Sequence, residues 1–293
     1  MGSRIIFLLI KGLSWIPDGV LNGFSRVVYF IIYQVIGYRR EIVTKNLANS
    51  FPELSPARRD EISRGFYRQF SDIVPEMIRF IRIKPKNYSR RIHVTNQDLL
   101  RNYLDEKKNL VIVSGHFGNW EWNILAILAT GYRLLAVYKP QSSLLADDLM
   151  KKIRQKPGLT LLPMKETVRA IHREQESNSD PFVLLLVADQ IPAQGDIHFR
   201  TPFLNQDTAF FTGGEKIARK FRMPLLYIDQ EKLTFGRYRA KVETLFDGTE
   251  ALPENAITER FAARLETSVR RNPGLWLWSH RRWKYPRTET ISK

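Results

Sequence analysis

The sequence predicts an α/β fold: a mostly parallel central sheet flanked by helices, behind a helical N-terminal extension. Three observations predict it. Short apolar runs alternate with segments of helical period from Leu110 to Phe246, and strands alternating with helices imply crossover connections and a parallel sheet. The first 90 residues carry no such alternation; they read as helices, and residues 91–293 as the α/β core. The 293 residues, 43% hydrophobic and 26% charged, are long enough and apolar enough for a sizeable core.

The chain opens on IIFLLI, an apolar run of six residues closed by Lys11. No small-residue cleavage site follows, so a removable signal peptide is not expected. The next segment, GVLNGFSRVVYFIIYQVIGYRR (Gly19 to Arg40), is interrupted by Arg26 and Gln34. Its unbroken apolar core is far short of the roughly 18 residues of a spanning helix. Tyr29, Phe30, Tyr33 and Tyr38 are followed by Arg39, Arg40 and Lys45. That pattern suits a helix lying in, or partly inserted into, an anionic interface. A helix packed on the rest of the domain accounts for the same run.

Ser55-Pro56 starts a long helix, with Ser as N-cap and Pro at the first helical position. Ile62, Phe66, Phe70, Val74 and Ile78 give it a core-facing stripe, and Pro75 predicts a kink. LVIVS then reads as a strand, NWEWNILAILATG as a helix and RLLAVYK as a strand. SLLADDLMKKIRQ, LTLLPM, ETVRAIHREQE and FVLLLVAD continue the alternation. GGEKIARKF is a helix, PLLYIDQ and YRAKVETLF are strands, and Ile257, Phe261, Leu265 and Val269 mark a last helix.

Active sites of such sheets collect beyond the carboxyl ends of the strands. That rule gathers His116, Lys139, Asp189 and Gln190 before any motif is considered. In SGHFGNWEWN, His116 sits in a turn between Gly115 and Gly118, and Glu121 follows in the first turn of the next helix. A carboxylate there can orient a histidine ring. The pair amounts to two members of a catalytic triad; no GxSxG elbow and no Cys supplies a nucleophile. A substrate hydroxyl, deprotonated by His116, would take that role. A capped helix beside a hydrogen-bonded histidine fits the same short pattern about equally well.

GHFGNWE resembles the H-x4-D/E box of glycerolipid-type acyltransferases, in the form found in the lipid A late acyltransferase family. The likeness continues through YRREIVTKNLANSFPELS, KKIRQKPGLTLLPMKETVRAI, LLLVADQIP, TPFLNQDTAFFTGGEKIARK and NPGLWLWSHRRWK, nearly the whole chain. The resemblance implies a glycerolipid-acyltransferase-like fold and a catalytic dyad of His116 and Glu121. Asn119 would shape the turn. Arg154, before Lys156-Pro157-Gly158, would hold a phosphate or the tetrahedral oxyanion. Asp189 and Gln190 would orient a polar acceptor group, or simply cap the next turn. Lys139 is grouped with these substrate-binding candidates by its strand-end position.

Three features depart from the family pattern. Gly115 stands where the family often has Asn, HREQESNSDPF (His172 to Phe182) replaces a short turn, and IPAQGDIHFRTPFL carries an aromatic and a charge near the site. They bear on the acceptor rather than on the reaction, since relatives also acylate mannosyl lipids, amino-acid lipids and pigments. The implied donor is acyl–acyl carrier protein, or acyl-CoA; the implied acceptor is an anionic glycolipid, a lipid A precursor. The implied place is the cytoplasmic face of the cell inner membrane. The formal net charge of +16 suits an acidic carrier and a phosphorylated lipid. No metal or other cofactor is expected. HRRWKYPR (His280 to Arg287) reads alone as a nucleic-acid patch, but beside the family likeness as an anchor for phosphate headgroups, without nucleic acid. Trp276 and Trp278 are expected in the core. A lysophospholipid is a competing acceptor, and a catalytically silent membrane scaffold and a nucleic-acid-binding module are the alternatives outside the enzyme class.

Overall fold

The structure, a computed structural model, describes residues 2–141, 143–155, 158–177 and 180–285. Lys156-Pro157, Asn178-Ser179 of the polar insert and Pro286-Arg287 of the C-terminal stretch lie outside the described residues.

Helices fill the first part of the chain. α1 (Gly2–Leu13) and α2 (Asp18–Tyr29) are joined by a short loop, and a π-helical turn (Phe30–Val35) extends α2. α3 (Arg40–Ser50) and α4 (Pro56–Phe80) follow. Ser55 caps α4 as predicted, its Oγ accepting from the Arg58 N–H at 3.3 Å. Ile62 and Phe66 are buried, but Val74 is exposed; beyond Phe70 the buried positions become Ser71, Pro75, Glu76 and Phe80. The α-helix runs through Pro75 to Phe80. One turn, α5 (Tyr88–Arg91), leads into β1 (Ile92–Val94).

The sheet is then built in the predicted alternation. α6 (Gln97–Asp105) precedes β2 (Leu110–Ser114). The helix expected from Asn119 is a 3-10 turn (Trp120–Trp122) followed by the short α7 (Asn123–Leu128). Next come β3 (Arg133–Tyr138), α8 (Leu144–Arg154), β4 (Thr160–Pro163), α9 (Thr167–Glu176) and β5 (Phe182–Val187). A small hairpin, β6 (Arg200–Phe203) and β7 (Gln206–Ala209), forms a separate two-stranded sheet. α10 (Gly213–Phe221), β8 (Leu225–Thr234), β9 (Arg237–Phe246) and α11 (Ala256–Arg271) complete the core.

The main sheet has seven strands in the order β1-β9-β8-β2-β5-β3-β4. All neighbours pair in parallel except the β8–β9 hairpin. Side chains alternate between its two faces. Val111, Val113 and Leu184 meet α3, α4 and α11 residues such as Leu47, Phe66 and Leu265 on one side. Leu110, Ile112 and Leu185 meet Ile124, Leu125 and Ile127 of α7 on the other. Both faces are therefore apolar, which is why these strands read as continuous hydrophobic runs.

Candidate active site

The site forms where β2 and β5 end side by side. Their parallel register pairs Ser114 with Val187. Two residues further along each chain, His116 and Asp189 meet. The His116 ring places Nδ1 2.6 Å from Asp189 Oδ1, and the His116 backbone N–H donates to Asp189 Oδ2 at 2.8 Å. Trp276 Nε1–H donates to the same Oδ2 at 2.8 Å. Asp189 is 3% exposed. Burial alone would raise its pKa, but the charge of His116, hydrogen bonds from its ring and backbone, and the Trp276 donor hold the carboxyl below the ordinary range. An ionised acceptor on Nδ1 fixes the tautomer with the proton on Nδ1 and the lone pair on Nε2. Gln190 Nε2 lies 3.2 Å from that second nitrogen, and Trp120 packs edge-on against the ring at 4.9 Å between centroids.

The glycines are spatial requirements. A Cβ on Gly115 would stand 2.6 Å from Leu265 Cδ1 and 3.1 Å from Asp189 Oδ2. Gly118 has φ +62, and a Cβ there would meet Gln230 Oε1 at 2.5 Å. The C-terminal segment clamps the turn: Gly118 N–H donates to Leu275 O, Leu277 N–H donates to His116 O, and Phe117 bridges Trp276.

Glu121, expected to orient the imidazole, is hydrogen-bonded to Arg154 in this structure. Arg154, at the end of α8, grips it through Nε–Oε2 at 2.8 Å and Nη2–Oε1 at 2.5 Å. Desolvation would lower the Arg154 pKa, but Glu121 outweighs it and the pKa is raised. Both groups are largely buried, and such a fork needs both members: either charge alone would be costly. Arg154 Nη1 has no hydrogen-bond partner among the described residues.

The family description "Bacterial lipid A biosynthesis acyltransferase" matches residues 5–285. The chain belongs to that family. It is a lipid acyltransferase. No curated protein sequence matches it. Among solved structures, the 1-acyl-sn-glycerophosphate (LPA) acyltransferase PlsC from Thermotoga maritima aligns with a TM-score of 0.37 and 15% identity, over 94% of this chain and 99% of that one.

The other expected site residues of this acyltransferase divide by burial. Asn119 is 0% exposed. Its N–H donates to Gln230 Oε1 at 2.9 Å and its Nδ2 to Glu76 Oε2 at 2.6 Å. These bonds hold the turn, the place expected for it. Asp189 and Gln190, expected to orient a polar acceptor group, both contact the His116 ring. Lys139, just past β3, is exposed and has no hydrogen-bond or ion-pair partner among the described residues. Trp276 and Trp278 are buried as expected, and Trp276 adds the donor on Asp189.

Glu76 was invisible in the sequence, where it lies off the predicted apolar stripe of α4. It accepts from Asn119 Nδ2, from the Gly236 N–H at 2.8 Å and from Tyr238 OH. Burial pushes its carboxyl up to about 7, against the pull of Lys232 and the Asn119 and Gly236 donors. Of the HRRWKYPR stretch, expected as a headgroup anchor, residues 280–285 are described, and they are partly engaged with the rest of the protein. Arg282 is buried over the Phe210 ring, Trp283 donates to Thr208 Oγ1, and His280 is pushed down to about 4 by burial. Arg281 and Lys284 remain at the surface. Among the described residues no three His, Asp or Glu side chains converge as metal ligands would.

Proposed function

We propose that this acyltransferase moves a fatty acyl chain from acyl–acyl carrier protein to a hydroxyl of a lipid A precursor, at the cytoplasmic face of the inner membrane. The observation that supports the chemistry is the Asp189–His116 hydrogen bond, which leaves the His116 Nε2 lone pair to Gln190, 3.2 Å away, or to a substrate donor. The family match supports the substrate class.

In this reading the acceptor hydroxyl replaces Gln190 as hydrogen-bond donor to Nε2. His116 takes its proton while the oxygen attacks the thioester carbonyl. The imidazolium is stabilised by ionised Asp189. Arg154, fixed by Glu121, offers Nη1 to the tetrahedral oxyanion or to a substrate phosphate. Collapse of the intermediate forms the ester and breaks the C–S bond. His116 returns the proton to the departing thiolate.

The test is acyl transfer by purified protein in detergent, followed by mass spectrometry. Acyl–acyl carrier protein and acyl-CoA are compared as donors. A tetra-acylated lipid A precursor, a lysophospholipid and a hydroxy-acyl amino-acid lipid are compared as acceptors. Transfer to the first acceptor, reduced roughly 10²–10⁴-fold by Asp189→Asn, is the expected result. A thermal melt confirms that the variant is folded. Transfer only to another acceptor overturns the substrate assignment; Asp189→Asn retaining more than about a third of wild-type rate overturns the dyad.

A further inference from the structure

A second polar concavity lies away from His116, where the α1–α2 loop meets the β8–β9 turn. It is a cleft of about 360 Å³ lined by Arg79, Arg82, Lys84, Arg90, Arg91 and Arg237, with Asp18 as its one acidic residue. Asp18 bridges Arg79 Nε and Arg91 Nη1, each at 2.7 Å. Arg79 is further fixed by the carbonyls of Ser14 and Ile16, and Arg82 is stacked on the Trp15 ring. One guanidinium group is thus positioned in advance by backbone carbonyls and another by an indole ring. Arg82, Lys84, Arg90 and Arg237 have no acidic partner among the described residues. So many cations around one carboxylate repel one another unless an anion joins them.

We infer that this cleft is a binding site for the phosphate group of an anionic lipid headgroup. Arginine forks match phosphate oxygens in shape as well as charge. The lipid source follows from the surroundings. The loop that supplies Trp15 and Ile16 sits between α1 and α2, which expose Leu8, Leu9, Leu13, Val20 and Phe24. A phosphate in the cleft therefore lies beside an apolar surface that acyl chains can cover. The cleft also belongs to the reactive edge of the sheet. β9 begins at Arg237, antiparallel to β8, which runs parallel to β2. Arg237, paired with Thr234, stands beyond the end where β2 delivers His116, two strands to the side and four residues further along β8 than Gln230, which meets the His116 turn. Glu76 ties the two regions by accepting from Gly236 on one side and Asn119 on the other.

The test uses the full chain and reads binding without turnover, so it stands or falls apart from the acyl-transfer reading. Co-sedimentation is measured with phosphatidylcholine vesicles carrying phosphatidic acid, or oleate at equal surface charge. The wild type is compared with Arg90→Ala/Arg237→Ala and with Lys216→Ala/Lys241→Ala, which removes two exposed cations elsewhere. The expected result is tighter binding to phosphatidic acid than to oleate, lost about tenfold or more in the Arg90/Arg237 variant only. Equal losses in both variants would assign the effect to overall charge and overturn the site. Equal binding to the two vesicle types would overturn phosphate recognition. Inorganic phosphate bound by the detergent-solubilised protein through Arg90 and Arg237, without vesicle preference, would overturn the lipid source.

Discussion

His116 has one nitrogen committed and one presented, and the commitment is to a residue far away in sequence. The H-x4-E spacing draws attention to Glu121 because it is near in the chain. The Ser114–Val187 register brings Asp189 nearer in space. Sequence reading placed Asp189 at the same edge, but strand order decides which strand ends adjoin, and no local pattern records strand order. Glu76 was missed for a related reason: its partners Asn119, Gly236 and Tyr238 come from three distant segments. Its shift has a measurable consequence. The folded value of about 7 lies above the ordinary value of 4.5. Between these pH values the folded chain keeps a proton that the unfolded chain releases. Stability therefore falls as pH rises through that window and levels off above it, by about 3 kcal/mol from this group. Urea midpoints across the window are expected to decline more steeply in wild type than in Glu76→Gln. Parallel slopes would show that Glu76 does not titrate there.

At the scale of elements, the C-terminal segment behaves as part of the active site. Residues 275–277 pair with the His116 turn, and Trp276 delivers its indole N–H to Asp189. NPGLWLWS reads as core packing, and the burial is as read; the hydrogen bond depended on which buried carboxylate the indole would meet. The main strands were legible because their apolar runs are buried on both faces. β1 and the β6–β7 hairpin were not, being only three or four residues each. Trp276→Phe keeps the ring and removes the donor. A hydrogen bond to a charged group is worth roughly 1.5–3 kcal/mol, so the melting temperature is expected to fall. With one donor fewer, the Asp189 carboxyl moves upward and the acid limb of the pH–rate profile moves with it. A lower melting temperature with an unmoved acid limb would reduce Trp276 to packing alone.

At the scale of the whole molecule, apolar surface is concentrated at the N-terminal end. Leu8, Leu9, Trp15, Val20, Phe24, Val27 and Phe30 are each about half exposed or more. Among the described residues no single helix is long and apolar enough to cross a membrane; Asp18–Val35 and Arg40–Ser50 form a pair bent by 87°. Interfacial seating uses such a surface without a span. The net charge of +16 adds attraction to anionic lipid, so the two contributions have to be separated. Salt does that: near 1 M the Debye length is roughly 3 Å, and long-range attraction is screened while apolar burial persists. Burying one large apolar side chain contributes about 1.5–3 kcal/mol. Leu9→Glu/Phe24→Glu is therefore expected to lower vesicle partitioning at high salt by roughly a hundredfold or more, with the circular dichroism spectrum unchanged. Partitioning that survives the double substitution at high salt would place the membrane-contacting surface elsewhere on the chain. Partitioning that vanishes at high salt in wild type would make the association electrostatic, carried by the arginines rather than by α1 and α2.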